Sequence, residues 1–380
     1  MIGVIDQCGR VEVSASRILH NMELFQRRVG KAKICATVKA NAYGHGVDVV
    51  LPMLMRAGVE WACVYSLEEA FEVAALSPAM NVLVLAPFVG RMSDELATRI
   101  ANSNIRLSVN DVMSLELIAA AIGGRGTIPV HVQVDTGLTR SGVSMAEAPA
   151  LIQRALQLPR TKLEGIFSHL SHGEVPGHVT VARQAAALQD IAGPFKRKDR
   201  RLLVHLQNSG GAWQKVWASL ETPLLDMVRI GIGVYGLQPS LAEPIDGLLP
   251  VARMVAPILM IHDVGAKVGA GYGHLFVTAR PSRLAIVPVG YADGYPRAMT
   301  GKGIVQVRGT SAPVVGRVSM DQIIVDVTDV PAAAVGDEVV VISNDPAAPN
   351  GMDAIATATG TIGYEIATGL GRRLHRRMVE

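Results

Sequence analysis

Two consecutive segments decide the fold of this chain, RLLVHLQNSGGA at 201–212 and DMVRIGIGVYG at 226–236. In each, an apolar run of strand length ends in polar residues and glycines. The runs are apolar on both faces, which is typical of strands in a parallel sheet that is covered on both sides. The glycines that follow allow the backbone to approach an anion closely. Six similar apolar runs precede these two segments.

The eight runs alternate with amphipathic stretches. The predicted strands are Lys33–Val38, Trp61–Tyr65, Val82–Ala86, Ile105–Val109, Val130–Val134, Leu163–Ser168, Leu202–Leu206 and Asp226–Ile230. The predicted helices between them include Asp48–Arg56, Leu67–Leu76, Asp111–Ala121, Met145–Leu156 and Val181–Ala192. Eight strand–helix units in about 200 residues fit an α/β fold of the (β/α)8 TIM-barrel type. A doubly wound sheet produces the same alternation and is the main competing fold.

The pattern changes after Pro239, where Glu243-Pro244 and Leu249-Pro250 interrupt the alternation and indicate a linker. Short β-branched segments follow and predict a mainly-β second domain. We therefore expect a barrel domain at residues 1–243 and a β domain at 244–380. The predicted strands of the second domain are Met254–Val264, Leu284–Val289, Gly303–Val307, Pro313–Val318, Ile323–Val327 and Glu338–Ile342.

Composition narrows the class of function. The 380 residues are 49% hydrophobic with a net charge of +3, which favours a globular enzyme over a nucleic-acid-binding protein. A basic group at Arg372–Arg377 is expected to form a solvated tail. Neither a signal-like N-terminus nor an apolar run of about 18 residues is present, so we expect no membrane partner and a cytoplasmic location. The three cysteines, Cys8, Cys35 and Cys63, lack the spacing of a zinc site or a disulfide framework.

Several polar residues follow the predicted strands directly. Lys39 follows the first, His169 the sixth and Ser209 the seventh, while Arg229 lies near the end of the eighth. Because the carboxyl ends of barrel strands meet at one mouth, these groups should lie together. Loops after the seventh and eighth strands of such barrels often bind phosphate. A cofactor that carries both a phosphate and an aldehyde reactive toward a lysine would use all of these groups.

Eight motifs, in order along nearly the whole chain, resemble those of the alanine racemase family. They are VKANAYGHG (38–46), DTGLTRSG (135–142), NSG (208–210), MVRIGIGVYGL (227–237), GAGYGH (269–274), VPVGYADGYPR (287–297), GRVSMDQ (316–322) and TIGYE (361–365).

The resemblance implies pyridoxal 5'-phosphate (PLP) bound covalently to Lys39, with no metal. It also implies a homodimer, an amino-acid substrate, and Tyr272 of the partner subunit as the second catalytic base. His169 would link Tyr272 to Arg229, which would face the pyridine nitrogen. The implied cofactor-binding residues are Lys39, Tyr43, His169, Asn208, Ser209, Arg229, Gly231, Ile232 and Tyr364. The implied substrate-binding residues are Arg140, Met320, Asp321, Tyr291 and Arg317.

Position 133 departs from the family pattern. The family frequently has a carbamylated lysine seven residues before the motif arginine, whereas this chain has Gln133. We therefore predict no carbamate, and a hydrogen bond from Arg140 to the Gln133 amide oxygen.

Several alternatives stay open. They are a racemase for serine or a basic amino acid, a PLP-dependent decarboxylase, and a non-catalytic PLP-binding protein. The glycines at 231, 233 and 236 match a dinucleotide fingerprint only weakly, because no helix follows them. His169, His172 and His178 lack the compact ligand set of a metal site.

Overall fold

The structure is a computed structural model that describes residues 9–121, 126–215 and 225–380. Cys8 lies outside these residues. Within them, eight parallel strands close into a barrel, because each pairs with the next and the last pairs with the first. The strands are Lys33–Thr37, Trp61–Val64, Asn81–Pro87, Ile105–Val109, Ile128–Asp135, Thr161–Phe167, Leu203–His205 and Met227–Ile230. The predicted (β/α)8 barrel is thus confirmed, and the doubly wound sheet is wrong.

Helices surround the barrel at Ala15–Val29, Val47–Arg56, Leu67–Leu76, Asp94–Ala101, Val112–Ala121, Ala148–Gln157, Val179–Lys198 and Ser209–Trp213. Their starts follow ordinary capping chemistry. Ser66, for example, accepts a hydrogen bond from the backbone N–H of Glu69, and the Glu69 carboxylate accepts one from the N–H of Ser66. This capping box fixes the Glu69 carboxylate close to the end of the first barrel strand, where the candidate site lies.

The second domain is built on a nine-stranded sheet. In spatial order its strands are Met260–Val264, Ser282–Val287, Ile323–Asp326, Thr310–Val315, Ile304–Val307, Glu338–Ile342, Ala252–Pro257, Arg10–Ser14 and His375–Val379. A small pair, Gly269–Ala270 with Phe276–Val277, lies apart from this sheet, and Val143–Ser144 adds a short strand beside the barrel. Two helices, Met352–Thr359 and Gly363–Thr368, make this domain mainly β rather than purely β.

Three sequence expectations need correction. Met254–Val264 is two strands rather than one, since Ala252–Pro257 pairs with Glu338–Ile342 and Met260–Val264 pairs with Ser282–Val287.

The N-terminal strand Arg10–Ser14, expected in the barrel domain, pairs with the second sheet. The division at residue 243 otherwise stays a prediction.

The basic C-terminal group is part of a strand and not a solvated tail. His375–Val379 pairs in parallel with Arg10–Ser14. The Arg377 guanidinium donates to the buried carboxylate of Glu12, and Arg376 donates to the carbonyls of Gly44 and Leu370. Because these charges have partners inside the protein, a basic run can lie in a sheet. Most of the buried apolar side chains of both domains form one continuous cluster, and two small clusters lie apart from it.

Candidate active site

A cavity of about 800 Å³ opens at the carboxyl ends of the barrel strands. Ten of the predicted site residues line it, namely Lys39, Tyr43, Arg140, His169, Asn208, Ser209, Arg229, Gly231, Ile232 and Tyr364. Nine of them come from the barrel, while Tyr364 comes from the helix Gly363–Thr368 of the second domain. Strand-end positions predicted Lys39, His169, Ser209 and Arg229, and the family resemblance implied the others.

Lys39 begins an unusual backbone turn. The four residues after it, Ala40 to Tyr43, all have φ between 51° and 53° and form one left-handed helical turn. Such a conformation costs about 1–2 kcal/mol per residue for side chains other than glycine. Contacts from outside hold it, because Glu69 accepts a hydrogen bond from the Ala40 N–H at 2.6 Å. The turn aims the Tyr43 ring back into the cavity, against Tyr235 with ring centroids 5.0 Å apart.

A candidate cradle for an anion lines the same cavity as Lys39. The Ser209 hydroxyl accepts hydrogen bonds from the backbone N–H groups of Gly231, at 3.0 Å, and Gly233, at 3.3 Å. A Cβ atom at Gly231 would lie only 2.7 Å from the Tyr43 hydroxyl, so the absence of a side chain there keeps the cradle open. Burial raises the pKa of the Tyr43 and Tyr364 phenols, and the closeness of Tyr364 adds to this for Tyr43. Both phenols therefore keep the proton that a phosphate oxygen would accept.

Arg229 is buried at the floor of the cavity. Its guanidinium donates to the carbonyls of Ser168, at 2.6 Å, and Leu206, at 3.2 Å, and to Nδ1 of His169, at 3.1 Å. An arginine can only donate, so His169 accepts at Nδ1 and carries its proton on Nε2. Burial, followed by the charges of Arg229, Arg140 and Lys39, lowers the pKa of His169 to about 3. His169 is thus a neutral hydrogen-bond donor at neutral pH, and its predicted link to Arg229 is present.

At the end of the fifth barrel strand, the hydrogen bonding of Gln133 differs from the prediction. Asp135 has a structural role, since one carboxylate oxygen accepts hydrogen bonds from the backbone N–H groups of Gly137, Leu138 and Thr139. The Gln133 amide oxygen is buried and has no hydrogen-bond partner among the described residues, so the expected bond from Arg140 is not formed. Arg140 instead lies exposed on the cavity wall.

The remaining predicted residues lie on the second domain, outside the lining of this cavity. They are Tyr272, Tyr291, Arg317, Met320 and Asp321. Tyr272 is 71% exposed and Met320 53%. Asp321 forms an ion pair with Arg373 at 2.7 Å. A single chain therefore does not bring Tyr272 to His169.

Sequence reasoning missed some cavity residues, among them Thr37, Tyr65, Leu85 and Phe167. Thr37 and Phe167 are the last residues of the first and sixth barrel strands, so they lie at the mouth where the strand ends meet. This strand-end position is the signal that could have found them. In the described ranges, no group of three or more His, Cys, Asp or Glu side chains is arranged to hold a metal ion. Nor does any described helix have the length and apolarity needed to cross a bilayer.

A closed parallel barrel with a lysine after its first strand and an anion cradle after its last two defines a class of PLP-dependent barrel enzymes. Residues 13–239 match the family model for the alanine racemase N-terminal domain, and residues 251–378 match the one for the alanine racemase C-terminal domain. The chain belongs to the alanine racemase family.

Individual relatives agree with this assignment over their full lengths. An alanine racemase of Desulfovibrio desulfuricans is 36% identical, covering 97% of both chains, and one of Sorangium cellulosum is 34% identical, covering 97% of this chain and 98% of its own. The crystal structure of alanine racemase from Streptomyces lavendulae aligns with a TM-score of 0.87 at 30% identity, covering 98% of this chain and 97% of that one. The Bartonella henselae enzyme, with covalently bound pyridoxal phosphate, aligns with a TM-score of 0.80 at 31% identity, covering 98% and 99%.

Proposed function

We propose that this chain interconverts L-alanine and D-alanine in the cytoplasm, with PLP bound to Lys39, and so supplies D-alanine for peptidoglycan. The observation that carries the proposal is the shared cavity, which Lys39, the cradle at Ser209 and the buried Arg229 line together. The names of the relatives support alanine as the substrate.

The residues present fit PLP. Tyr43, Ser209, Gly231, Tyr364 and the backbone N–H group of Ile232 would hold its phosphate, with Asn208 beside them. Arg229 would face its pyridine nitrogen. When bound, PLP withdraws electrons from an amino acid joined to its aldehyde carbon and so weakens the Cα–H bond. Arginine does not give up its proton, so Arg229 leaves the pyridine nitrogen unprotonated and moderates this withdrawal.

Racemisation needs a proton removed from one face of Cα and another returned to the opposite face. The Lys39 Nζ moves the proton on one face. The partner subunit's Tyr272 moves the proton on the other. His169 has its proton on Nε2, because Arg229 occupies Nδ1, so Nε2 can donate to the Tyr272 oxygen and stabilise its ionised form.

This arrangement requires a homodimer in which each site takes residues from both subunits. Arg140 would bind the substrate carboxylate, and Met320 and Asp321 of the partner subunit would border the substrate. Tyr291 and Arg317 of the partner subunit would line the entrance. Exposure of Tyr272, Met320 and Tyr291 on the single chain supports this division.

The test combines a covalent and a chiral measurement. Borohydride reduction of the PLP-loaded protein, followed by peptide mass spectrometry, should place the modification on Lys39. The same protein should racemise L-alanine, seen as loss of optical rotation. Faster reaction with L-serine, L-lysine or L-arginine, or release of carbon dioxide, would replace this proposal with another racemase or a decarboxylase. Failure to label Lys39 would overturn it.

A further inference from the structure

The C-terminal strand His375–Val379 reaches the turn that follows Lys39. Arg376 lies on this strand, and its Nε donates to the carbonyl of Gly44 at 3.1 Å. Its two terminal nitrogens donate to three further carbonyls, those of Gly371 and Leu374 at 2.7 Å each and of Leu370 at 2.9 Å. One guanidinium therefore joins two separate segments of backbone, the end of the turn and residues 370–374.

Each of these two segments continues from a phenol of the candidate site. Gly44 directly follows Tyr43, the last residue of the left-handed turn. Residues 370–374 come shortly after the helix Gly363–Thr368, which contains Tyr364. Both rings line the cavity, with their centroids 6.1 Å apart. The Arg376 guanidinium thus bridges the pieces of backbone that carry the two phenols.

The turn and the C-terminal residues approach each other closely. A Cβ atom at Gly44 would lie 2.1 Å from the carbonyl oxygen of Ala367, so the turn contacts the helix backbone directly. A Cβ atom at Gly46 would lie 3.2 Å from both Cβ and Cγ of Arg376, so the arginine stem crosses the chain there. Both glycines have positive φ, 80° and 93°, which other residues rarely adopt. Residues 44–46 therefore have the backbone that this close approach requires.

The strained turn at 40–43 depends on contacts from outside, because a run of left-handed residues persists only where the surroundings fix it. Glu69 provides such a contact at the start of the turn, where it accepts from the Ala40 N–H. Arg376 provides one at its end, through the Gly44 carbonyl. An arginine suits this place because its rigid fork of five N–H donors can reach several carbonyls at once, whereas a lysine ammonium is a point charge.

We propose that Arg376 is a positioning residue for cofactor binding, which holds the turn after Lys39 against the segment that follows Tyr364. Without the guanidinium, the Gly44 carbonyl loses this partner and the end of the turn relaxes. Tyr43 then moves relative to Tyr364, and PLP binds less tightly. The effect on PLP rests on the function proposed above, whereas the link between the two segments does not.

Two substitutions on the same strand separate position from stability. Arg376→Met removes the guanidinium that joins the two segments and keeps an apolar stem. Arg377→Met is the matched control, because the Arg377 guanidinium donates to the Glu12 carboxylate instead. Both variants lose hydrogen bonds of the C-terminal strand, so both should melt at a lower temperature than the unsubstituted protein. Only Arg376→Met should change the cofactor site.

The first readout is the PLP affinity of the apoenzyme, measured by fluorescence titration. We expect Arg376→Met to raise the Kd for PLP about tenfold, since hydrogen bonds to a charged group are among the stronger ones. Arg377→Met should leave this Kd unchanged although its melting temperature is lower. An equal Kd in the two variants would overturn the positioning role.

The second readout needs no cofactor. Hydrogen exchange of the apoenzyme, followed by peptide mass spectrometry, reports the opening of residues 40–46 and 370–374 separately. We expect Arg376→Met to speed exchange about tenfold in both segments, because they open as one unit, and Arg377→Met to speed it in neither. Faster exchange in only one of the two segments of Arg376→Met would overturn the link.

The unsubstituted apoenzyme provides a measurement that holds even if Arg376→Met does not fold. The Gly46 N–H donates to the Asn41 carbonyl, and the Leu374 N–H donates to the Gly371 carbonyl. We expect these two amides to have protection factors within about tenfold of each other, as members of one cooperative unit. A larger difference would overturn the proposal. Binding of PLP without racemisation of alanine would overturn only the proposed function, since neither the Kd nor the exchange depends on turnover.

Discussion

The predicted site residues at the barrel mouth and those on the second domain lie in contrasting environments. At the barrel mouth, Lys39, His169 and Arg229 share one cavity and are fixed by hydrogen bonds within the chain. On the second domain, Tyr272 and Met320 lie exposed, with no place in that cavity.

The difference shows which part of the site a single chain forms when it folds. The barrel and Tyr364 bring the proposed cofactor-binding residues into one cavity, whereas Tyr272, the proposed second base, lies exposed on the second domain. Leu275 and Val277, close to Tyr272, are also more than half exposed. Exposed apolar groups clustered in this way mark a surface that another protein covers. A second copy of the chain would both cover them and supply Tyr272.

The largest effects should come from removing either half of the site. Lys39→Ala removes the cofactor attachment and one base, and Tyr272→Phe removes the other base. General acid–base groups contribute about 10²–10⁴-fold, so each variant should lose at least that much of kcat/KM. Steady-state racemisation assays on PLP-loaded variants measure the loss.

Mixing these two variants tests whether Lys39 and Tyr272 of one active site come from different chains. Random exchange in a two-fold dimer gives hybrids with one intact site, so activity should return to about a quarter of the unsubstituted level. Mixtures of Lys39→Ala with itself serve as the control. Absence of recovery, with hybrids demonstrated by mass spectrometry, would place both bases in one chain.

A smaller effect should come from narrowing the cradle. Gly231→Ala places a Cβ atom 2.7 Å from the Tyr43 hydroxyl, so Tyr43 must move away from the phosphate position. Overpacking of this kind costs about 1–3 kcal/mol, which corresponds to about 5- to 150-fold in PLP affinity. Fluorescence titration of the apoenzyme measures this affinity. Gly265→Ala is the matched control, because no atom lies within 4 Å of its Cβ position. Equal PLP affinity in the Gly231→Ala and Gly265→Ala variants would show that Gly231 is not part of the phosphate-binding site.

The sequence predicted the barrel part of the molecule and its site residues better than the second domain, for a physical reason. Each barrel strand is a local apolar run, and the residue after it, such as Lys39 or His169, is placed by the strand itself. The pairing of Arg10–Ser14 with His375–Val379 joins the two ends of the chain, and no local pattern encodes it. The left-handed turn at 40–43 contains no glycine, so its φ values follow from contacts with distant residues such as Glu69.

The two regions should also differ in their response to acid. His45, His131 and His205 are buried beside or inside the barrel and His169 is half-buried at its mouth, whereas His262 on the second domain is exposed. Burial lowers the pKa of His45 to about 4 and, together with nearby cations, that of His169 to about 3. An unfolded imidazole binds its proton near pH 6.5, so below this pH the unfolded state takes up protons that the folded state does not. Stability is therefore complete above about pH 6.5 and decreases as the pH falls.

Each buried imidazole contributes a slope of up to about 1.4 kcal/mol per pH unit below pH 6.5. Urea unfolding between pH 7 and pH 5 measures this slope. His45→Gln should reduce it, although it lowers stability at pH 7, and His262→Gln should leave it unchanged. A slope that His262→Gln lowers as much as His45→Gln would contradict the assignment to the barrel.

The smallest effect concerns the wall of the cavity, where the chain departs from its family. A lysine carbamate needs an amine and carbon dioxide, and Gln133 has no amine, so removing or adding bicarbonate should not change kcat/KM for alanine. The buried, unpartnered amide oxygen of Gln133 supports a neutral group at this position. Gln133→Lys supplies the amine, so activity of that variant should rise with bicarbonate and carbon-13 bicarbonate should give a carbamate signal by NMR. Activation of the unsubstituted protein by bicarbonate would show that a lysine elsewhere forms a carbamate. The barrel part of the site would then need a modification that folding alone does not supply.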